Sequence, residues 1–267
     1  MTTTRPIATA RMYRRCLGAH LRAALEYEAD FWILVVASIM MQATGVIFLG
    51  AVFARIPTLA GWTLAEVVLI YSLVVIAEGV GSLCFEGTWY LPWMVNQGDL
   101  DYTLVRPYPV VLQTMSGAVG LNGVGNLLTG GLLMAWSLSR VDVDWSPLRI
   151  ALAVALFLSA VLIKLSVTLA STSACFWVFG ASFMLPTALH QVGELAKYPV
   201  SVYSAGIRVA LTVVIPFAFV SFYPAAAVLG HGQDSWVGLL TPLVAGYCVV
   251  VAGAVFRRGL RRYESSG

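Results

Sequence analysis

Glu78 and Lys164 are the two charged side chains that lie deepest inside the long apolar stretches of this sequence. Each follows the polar start of its stretch by about fifteen residues, so at ~1.5 Å per helical residue both are expected about 22 Å along their helices. Because burying either charge alone in an apolar medium costs several kcal/mol, we predict that both face the protein interior and pair. In the alternative, Lys164 extends along its own helix to water and Glu78 reaches cytoplasmic water.

The sequence carries no motif for nucleotide chemistry. A phosphate-binding loop of the form G-x-x-x-x-G-K-[ST] is absent, because neither Lys164 nor Lys197 follows a glycine. The stretch GVGNLL, which starts at Gly123, opens like a dinucleotide-binding turn but lacks the third glycine and a preceding strand. We therefore expect a chain that binds no nucleotide or other cofactor itself.

The histidines and cysteines form no catalytic or metal-binding pattern. All the histidines are expected outside the apolar segments, whereas an intramembrane hydrolase needs its base at the depth of its nucleophile. The cysteines are far apart and have neither a disulfide framework nor zinc-ligand spacing. We expect neither enzyme activity nor a metal site. These residues are His20, His190 and His231, and Cys16, Cys84, Cys175 and Cys248.

The composition predicts an all-α integral membrane protein. Hydrophobic residues make up 59% of the 267 residues, 11% are charged and the mean hydropathy is +0.84, whereas soluble domains are about 25% charged. A transmembrane helix needs about 20 mostly apolar residues to cross about 30 Å of hydrocarbon. The third and fourth of the qualifying segments are long enough to be tilted or bent, and the fifth is short. The six predicted spans are residues 31–53, 63–84, 110–138, 150–179, 206–222 and 236–256.

The positions of Lys and Arg predict the orientation of these spans. With both termini in the cytoplasm, twelve of these residues lie on the cytoplasmic side and three on the opposite side, and Lys164 lies inside a span. This satisfies the positive-inside rule. The scarcity of lysine, two against fourteen arginines, indicates a GC-rich genome and therefore a bacterial cell membrane. The cytoplasmic set is Arg5, Arg11, Arg14, Arg15, Arg22, Arg106, Lys197, Arg208, Arg257, Arg258, Arg261 and Arg262, and the outer set is Arg55, Arg140 and Arg149.

Two amphipathic stretches flank the predicted spans. Residues 9–30 predict a helix with apolar residues at helical spacing and arginines mainly on another face. An interfacial helix fits this pattern, and a frayed basic tail is the alternative. After the fourth span, residues 185–197 place leucines and Val192 on one side and polar residues on the other, and Pro199 ends the stretch.

The stretch NQGDLDYTLVRPYP, residues 96–109, lies between the second and third predicted spans. It follows the aromatic stretch 85–98, which predicts a short helix that ends at its last glycine. Arg106 precedes a proline, which favours extended backbone, so we expect its guanidinium to bond to Asp99 or Asp101. Aromatic and methionine side chains are enriched where proteins dock. An aromatic belt at the membrane interface is the alternative.

Two amides, Asn122 and Asn126, lie one turn apart in the third predicted span, where glycines are frequent. In that position they can line a pathway across the membrane. Amides inside spans more often bond to neighbouring helices. The sequence leaves both interpretations open, so we retain the two amides, with Glu78 and Lys164, as candidates for a polar pathway.

Three stretches in order along the chain resemble the permease subunits of ABC-2 type transporters. They are GDLDYTLVRPYPVVLQ from Gly98, LAKYPVSVYSAGIRVALTVVIPFAFVSFYPAAAVLG from Leu195, and RRGLRRYESSG at the end. The resemblance implies a six-helix subunit of a type V ABC exporter, with residues 1–267 forming a single permease domain. It also implies a dimer with a second permease, identical or different, and separate ATPase subunits that bind ATP and Mg. It implies no nucleic-acid partner.

The resemblance assigns the parts of that domain. Residues 1–30 become a cytoplasmic connecting segment, 31–256 the six-helix bundle and 257–267 a cytoplasmic tail. A coupling helix that the ATPase pushes falls between the second and third spans, and a short re-entrant helix on the outer side falls between the fifth and sixth. The implied coupling residues are Glu86, Trp89, Tyr90, Trp93, Asp99, Asp101 and Arg106, and the re-entrant helix involves Tyr223, Pro224 and Gly230.

We therefore expect a permease that exports a substrate by alternating access while partner subunits hydrolyse ATP. The alternative is a secondary transporter or channel that works without ATP. Such proteins typically show repeated halves and broken helices around ionisable residues at the membrane midplane. The sequence shows no clear repeat, and it does not indicate which substrate is carried.

Overall fold

The computed structural model describes residues 6–178, 183–231 and 235–264, and within these ranges the protein consists of helices joined by short loops. The predicted end of the fourth span at residue 179 lies outside the described residues, as do Arg5 and residues 265–267 of the predicted tail. The α-helices are α1 (Pro6–Leu25), α2 (Glu28–Phe53), α3 (Leu64–Phe85), α4 (Leu91–Gln97), α5 (Leu100–Leu104), α6 (Val110–Met115), α7 (Asn122–Leu138), α8 (Pro147–Thr172), α9 (Met184–Glu194), α10 (Ala205–Val209), α11 (Phe222–Leu229), α12 (Ser235–Gly238) and α13 (Thr241–Arg262).

Four of the described helices are long and apolar enough to cross a membrane: α2, α3, α8 and α13, of which α3 and α8 continue into short 3-10 turns. They confirm the first, second, fourth and sixth predicted spans as helices. Local sequence signals start two of them. Thr63 and Glu66 form a capping box at the start of α3, and the Ser146 hydroxyl accepts a hydrogen bond from the Arg149 amide at the start of α8.

The helix α3 is the centre of the bundle. Of its most apolar stretch 67% is buried inside the protein, against 22% for α2 and 28% for α13. Glycines let α7 approach it closely, because a Cβ on Gly79 would lie 2.8 Å from Leu127 Cγ and a Cβ on Gly123 would lie 2.8 Å from the Gly79 carbonyl oxygen. The other long helices therefore pack around α3 and expose their outer faces.

The third predicted span, residues 110–138, is divided in the structure. The six residues of α6 and the seventeen residues of α7 are separated by residues 116–121. Residues 117 and 120 are glycines, which favour helix less than other residues except proline, and the Gly120 amide donates to the Ser82 carbonyl of α3 instead of continuing a helix. A hydrogen bond to another helix therefore replaces the predicted continuous helix here.

The fifth predicted span, residues 206–222, is sharply bent. The helix α10 continues into the π-helical turn Ala210–Val214, and after Pro216 the chain runs through the 3-10 turn Phe217–Phe219 into α11, at an angle of 75°. Pro216 has no backbone N–H to donate, and it holds Ile215 in extended backbone at φ −128° and ψ 97°. Residues 205–229 therefore form a hairpin and not one straight helix.

The helix α9 runs alongside α3 in the opposite direction. Its His190 lies beside Glu78, and seven residues later Lys197 lies over the ring of Tyr71, with its Nζ 5.2 Å from the ring centroid. The predicted end of this stretch before Pro199 is confirmed. Lys197, however, is buried near the middle of the bundle and not at its surface, because it has found polar partners there.

The end of the hairpin that follows α11 lies at the end of the bundle where α3 begins, which we call the Trp62 end. Past α11, His231 pairs with Glu66 near the start of α3 and stacks on Trp62. The bend lies deeper, because the Lys164 Nζ is 5.7 Å from the centroid of the Phe217 ring. The two arms contact each other through the Thr212 and Tyr223 hydroxyls, which are 3.2 Å apart.

The first helix is shorter than the predicted helix over residues 9–30. It ends at Leu25, and α2 starts at Glu28 after a break at Tyr27. The Tyr13 hydroxyl of α1 donates to the Cys84 carbonyl at the far end of α3. This contact fastens α1 to the opposite end of the bundle, which we call the Phe85 end.

Candidate functional site

At the Phe85 end the chain forms a compact element from residue 86 to residue 108, here called the coupling element. The 3-10 helix Glu86–Tyr90 leads into α4, and Gly98 ends α4 in a left-handed conformation with φ 79°, as the sequence predicted. The short α5 follows. On the inner side, buried apolar residues of the element pack against Phe176 beyond α8 and Phe256 of α13, and these residues are Leu91, Val95 and Leu100.

The outer side of the coupling element exposes aromatic rings. Tyr90 is 53% exposed and Trp93 is 49% exposed. Trp89 is half-buried: its ring meets the His190 ring of α9 edge-on, with centroids 5.5 Å apart, and it lines a surface pocket together with Tyr90 and Trp93. The three rings therefore share one surface, and Trp89 also connects that surface to the bundle.

A groove of about 500 Å³ lies between α1 and the coupling element. Cys16 and His20 of α1 line one side, and Trp93 lines the other. Asp99 and Arg106 also line this groove, so the chain brings both predicted residues to one surface. An ATPase that reaches the element would therefore meet rings and charges together.

Gln113, and not Arg106, holds the segment that leads from α5 to α6. Gln113 Nε2 donates to the Thr103 carbonyl at 3.2 Å and to the Tyr108 carbonyl at 2.9 Å. The predicted charge-assisted bond was wrong, because within the described part of the chain Arg106 forms no ion pair with Asp99 or Asp101 and is exposed. A buried amide fixes the loop at two carbonyls, which leaves the guanidinium free to face solvent.

Asp101 faces the last turn of the chain instead. Burial, followed by the nearby carboxylates of Asp101 and Asp99, raises the pKa of the Tyr263 hydroxyl. The Tyr263 ring also packs edge-on against Phe176, with ring centroids 6.3 Å apart. The Tyr263 side chain that follows α13 therefore packs beside the coupling element.

Glu78 and Lys164 form the predicted ion pair. Lys164 Nζ lies 2.6 Å from Glu78 Oε2, and their side chains are 6% and 21% exposed, respectively. His190 Nδ1 lies 3.8 Å from Glu78 Oε1. The pair therefore joins α3 to α8 and, through His190, to α9. His190 was expected outside the apolar segments, and the sequence did not predict that it would lie beside Glu78.

Glu86 and Asn122 belong to a second polar group, beside the break between α6 and α7. The Glu86 carboxylate lies so close to Gly120 that a Cβ there would be 2.9 Å from its Oε2. Asn122 Nδ2 donates to Ser82 Oγ at 3.4 Å. Glu86 is thus half-buried against α3 and the α6–α7 break, and it also lines a surface pocket together with Tyr90 and Trp93.

Asn126 belongs to a network at the middle of the bundle. Its Oδ1 accepts from Gln42 Nε2 of α2 at 3.1 Å, and Gln42 Oε1 accepts from the Tyr71 hydroxyl at 2.8 Å and from Lys197 Nζ at 3.4 Å. Lys197 Nζ also lies 2.5 Å from Glu194 Oε2. This network links α2, α3, α7 and α9, so Asn126 fastens helices together.

Tyr223, Pro224 and Gly230, which the resemblance assigned to a re-entrant helix, lie in α11 or directly after it. Tyr223 and Pro224 are buried in the first turn of α11, which begins two residues before the proline. Gly230 ends α11 in a left-handed conformation with φ 66°. The helix is therefore bounded by Gly230 at one end and by Ser221, not by Pro224, at the other.

Sequence reasoning missed four residues of these networks. Gln42 and Tyr71 lie inside apolar runs, and Gln42 carried the same signal as Asn126, a lone amide in a span. His190 was placed on the polar side of an amphipathic stretch, and its partner Glu78 is 112 residues earlier in the sequence. Gln113 was counted in the third predicted span, although its partners Thr103 and Tyr108 lie only ten and five residues before it. Within residues 6–178, 183–231 and 235–264, no group of three or more His, Cys, Asp or Glu side chains is arranged to hold a metal ion.

The family of the chain follows from comparison with known proteins. Residues 39–267 match the model of the ABC-2 family transporter proteins. No match was found among curated protein sequences or solved structures. The matched region includes the coupling element, the deep ion pair and the hairpin. The chain therefore belongs to the ABC-2 family of transporter proteins, as a multi-pass membrane permease of an ABC transporter.

Proposed function

We propose that the chain is one of two permeases in a type V ABC exporter of a bacterial cell membrane. The second permease is identical or different, and two ATPase subunits bind ATP and Mg at the Phe85 end. That end faces the cytoplasm, so both termini are cytoplasmic. The whole chain acts as one permease domain, and substrate passes between the two permeases by alternating access.

In this proposal the chain crosses the membrane six times. The crossings are α2, α3, the divided pair α6 and α7, α8, α9 with its continuation to residue 202, and α13. The hairpin 205–229 enters from the outer side and returns to it: the segment before it runs antiparallel to α3 towards the Trp62 end, and His231 after it pairs with Glu66 there. This arrangement keeps the predicted number of spans but moves the fifth from residues 206–222 to α9.

The coupling element carries the proposal. Its inner side is packed on the ends of α8 and α13, while Tyr90 and Trp93 remain exposed on its outer side. Exposed aromatic side chains above a rigid base are suited to docking with another protein. A push on the element would reach α9 through Trp89 and His190, and α8 through Glu78 and Lys164.

A secondary transporter is the second candidate, because a bent hairpin and ionisable residues near the midplane also occur in that class. The two candidates differ in their need for an ATPase. The test is to purify the chain with the product of an adjacent ATPase gene and measure ATP hydrolysis in liposomes. An exporter permease should copurify with that ATPase and change its turnover, whereas absence of any such complex would reject the proposal.

A further inference from the structure

We propose that one face of α9, formed by Thr187, Gln191 and Glu194, is a wall of the substrate pathway. There the Glu194 carboxylate receives hydrogen-bond donors of the substrate midway through the membrane. The proposal deepens the proposed function and rests on it, because a pathway between two permeases is needed. It names the substrate class as molecules that present N–H or O–H donors, in place of wholly apolar ones.

The depth of Glu194 in the bundle follows from the contacts of Lys197. Lys197 Nζ contacts Glu194 at 2.5 Å, and the same ammonium lies over the ring of Tyr71 and 3.4 Å from Gln42 Oε1. Gln42 lies near the middle of α2, and Tyr71 lies within the central part of α3. Glu194 is therefore held near the midplane of the bundle, far from both ends of the membrane-crossing helices.

The polar face of α9 is accessible from outside the bundle. The Glu194 residue is half-buried but 38% of its side chain is exposed, and Thr187 and Gln191 on the same helix are exposed. Their spacing of four and three residues places the three side chains on one helical face. In contrast, the exposed residues in the middle of α2, α7, α8 and α13 carry no charge. A carboxylate at this depth needs a polar environment, because exposure to lipid costs several kcal/mol.

The face formed by Thr187, Gln191 and Glu194 offers mainly hydrogen-bond acceptors. Lys197 is buried, and it also contacts Gln42 and Tyr71, so the ammonium stays inside the bundle while the Glu194 carboxylate reaches the surface. An ionised carboxylate only accepts hydrogen bonds. The exposed Gln191 amide and Thr187 hydroxyl add groups that accept and donate. A ligand with hydrogen-bond donors is therefore matched to this face.

The candidates from the sequence do not occupy this face. Lys164 and Asn126 are buried, and Glu78 is paired with Lys164 around a cavity of only about 20 Å³. Asn122 is half-buried and bonds to Ser82. These residues join helices within one subunit, whereas Glu194 is charged, deep and exposed at once.

The test uses cysteine accessibility in the full complex, with the four native cysteines replaced by alanine. Gln191→Cys and Glu194→Cys are compared with Leu128→Cys, an exposed apolar position two residues from Asn126 and thus at a similar depth. The probe is a charged, water-soluble methanethiosulfonate reagent. Gln191→Cys serves as the second variant because it leaves the Glu194–Lys197 pair in place.

We expect both α9 variants to react at least about tenfold faster than Leu128→Cys, because a thiol reacts as its thiolate, which water supports and lipid suppresses. Rates equal to that of Leu128→Cys would overturn the proposal. Reaction that appears only when the second permease is absent would also overturn it, because the face would then be a protein interface. Neither result would affect copurification of the ATPase with the chain. Failure of this proposal can therefore be distinguished from failure of the proposed function.

Discussion

Lys164 Nζ lies 2.6 Å from Glu78 Oε2, and this contact joins the central helix α3 to α8. The two residues are 86 positions apart in the sequence, yet each lies about fifteen residues along a helix that starts on the same side, which predicted that they would meet. Because the pair is enclosed by protein, removal of one partner leaves an uncompensated buried charge. The consequences for stability can therefore be predicted.

Lys164→Met should lower the free energy of unfolding by about 3–5 kcal/mol, because it leaves Glu78 ionised and without its ammonium partner. Combining it with Glu78→Leu should recover most of that loss, since both charges are then removed. Thermal unfolding of the purified full chain in detergent measures the effect, with Arg258→Met as the exposed control. If the double variant is no more stable than Lys164→Met, then the pair is not the source of the effect.

Trp93→Ala should weaken binding of the ATPase, because Trp93 is the largest exposed side chain on the outer side of the coupling element. An interface tryptophan often contributes about 2 kcal/mol, which corresponds to roughly a 30-fold change in affinity. Binding of the ATPase to the permease in nanodiscs measures it. Trp136→Ala, an exposed tryptophan near the other end of α7, is the matched control and should bind normally. Equal affinities for both variants would show that the element is only a connector.

Gln113→Ala should loosen the return segment of the coupling element, because Gln113 Nε2 bonds the Thr103 and Tyr108 carbonyls. Each lost hydrogen bond is worth about 1 kcal/mol, so amide hydrogen exchange in residues 103–108 should become roughly tenfold faster or more. Arg106→Ala, which removes an exposed side chain without a carboxylate partner, should leave that exchange unchanged. The reverse pattern would restore the role that the sequence suggested for Arg106.

The sequence predicted the long helices well because their signal is local. Uninterrupted apolar length specifies α2, α3, α8 and α13, and a lone glycine specifies the end of α4. The breaks were harder to predict, since the division at 116–121 depends on a hydrogen bond to Ser82 of another helix. Pro216, in contrast, was a visible local signal for the bend.

Lys197 shows why the polar networks were harder to predict than the helices. The positive-inside rule counts residue types and contains no information about partners, so it placed Lys197 in the cytoplasm. Its partners Gln42 and Tyr71 are more than a hundred residues earlier in the sequence. The deep position of Lys197 therefore depends on tertiary contacts that no local pattern encodes.

Arg208 gives the sharpest test of the topology, because the charge tally and the proposed topology put it on opposite sides. The charge tally assigned it to the cytoplasm, at the start of a fifth span. In the proposed topology it follows the segment after α9, which runs antiparallel to α3 towards the Trp62 end, and its guanidinium donates to the Ser201 carbonyl of that segment. Arg208→Cys should therefore have the same accessibility as a cysteine in the loop that joins α7 to α8.

The experiment labels intact cells with an impermeant thiol reagent, in chains whose native cysteines are replaced by alanine. Asp142→Cys should be labelled, since its loop lies on the outer side in both topologies. Arg258→Cys, near the end of α13, should be labelled only after lysis. Arg208→Cys should behave like Asp142→Cys, because a hairpin that enters and returns keeps both of its ends on one side. Labelling of Arg208→Cys only after lysis would instead make residues 206–222 a true span, and α9 would then lie on the cytoplasmic side.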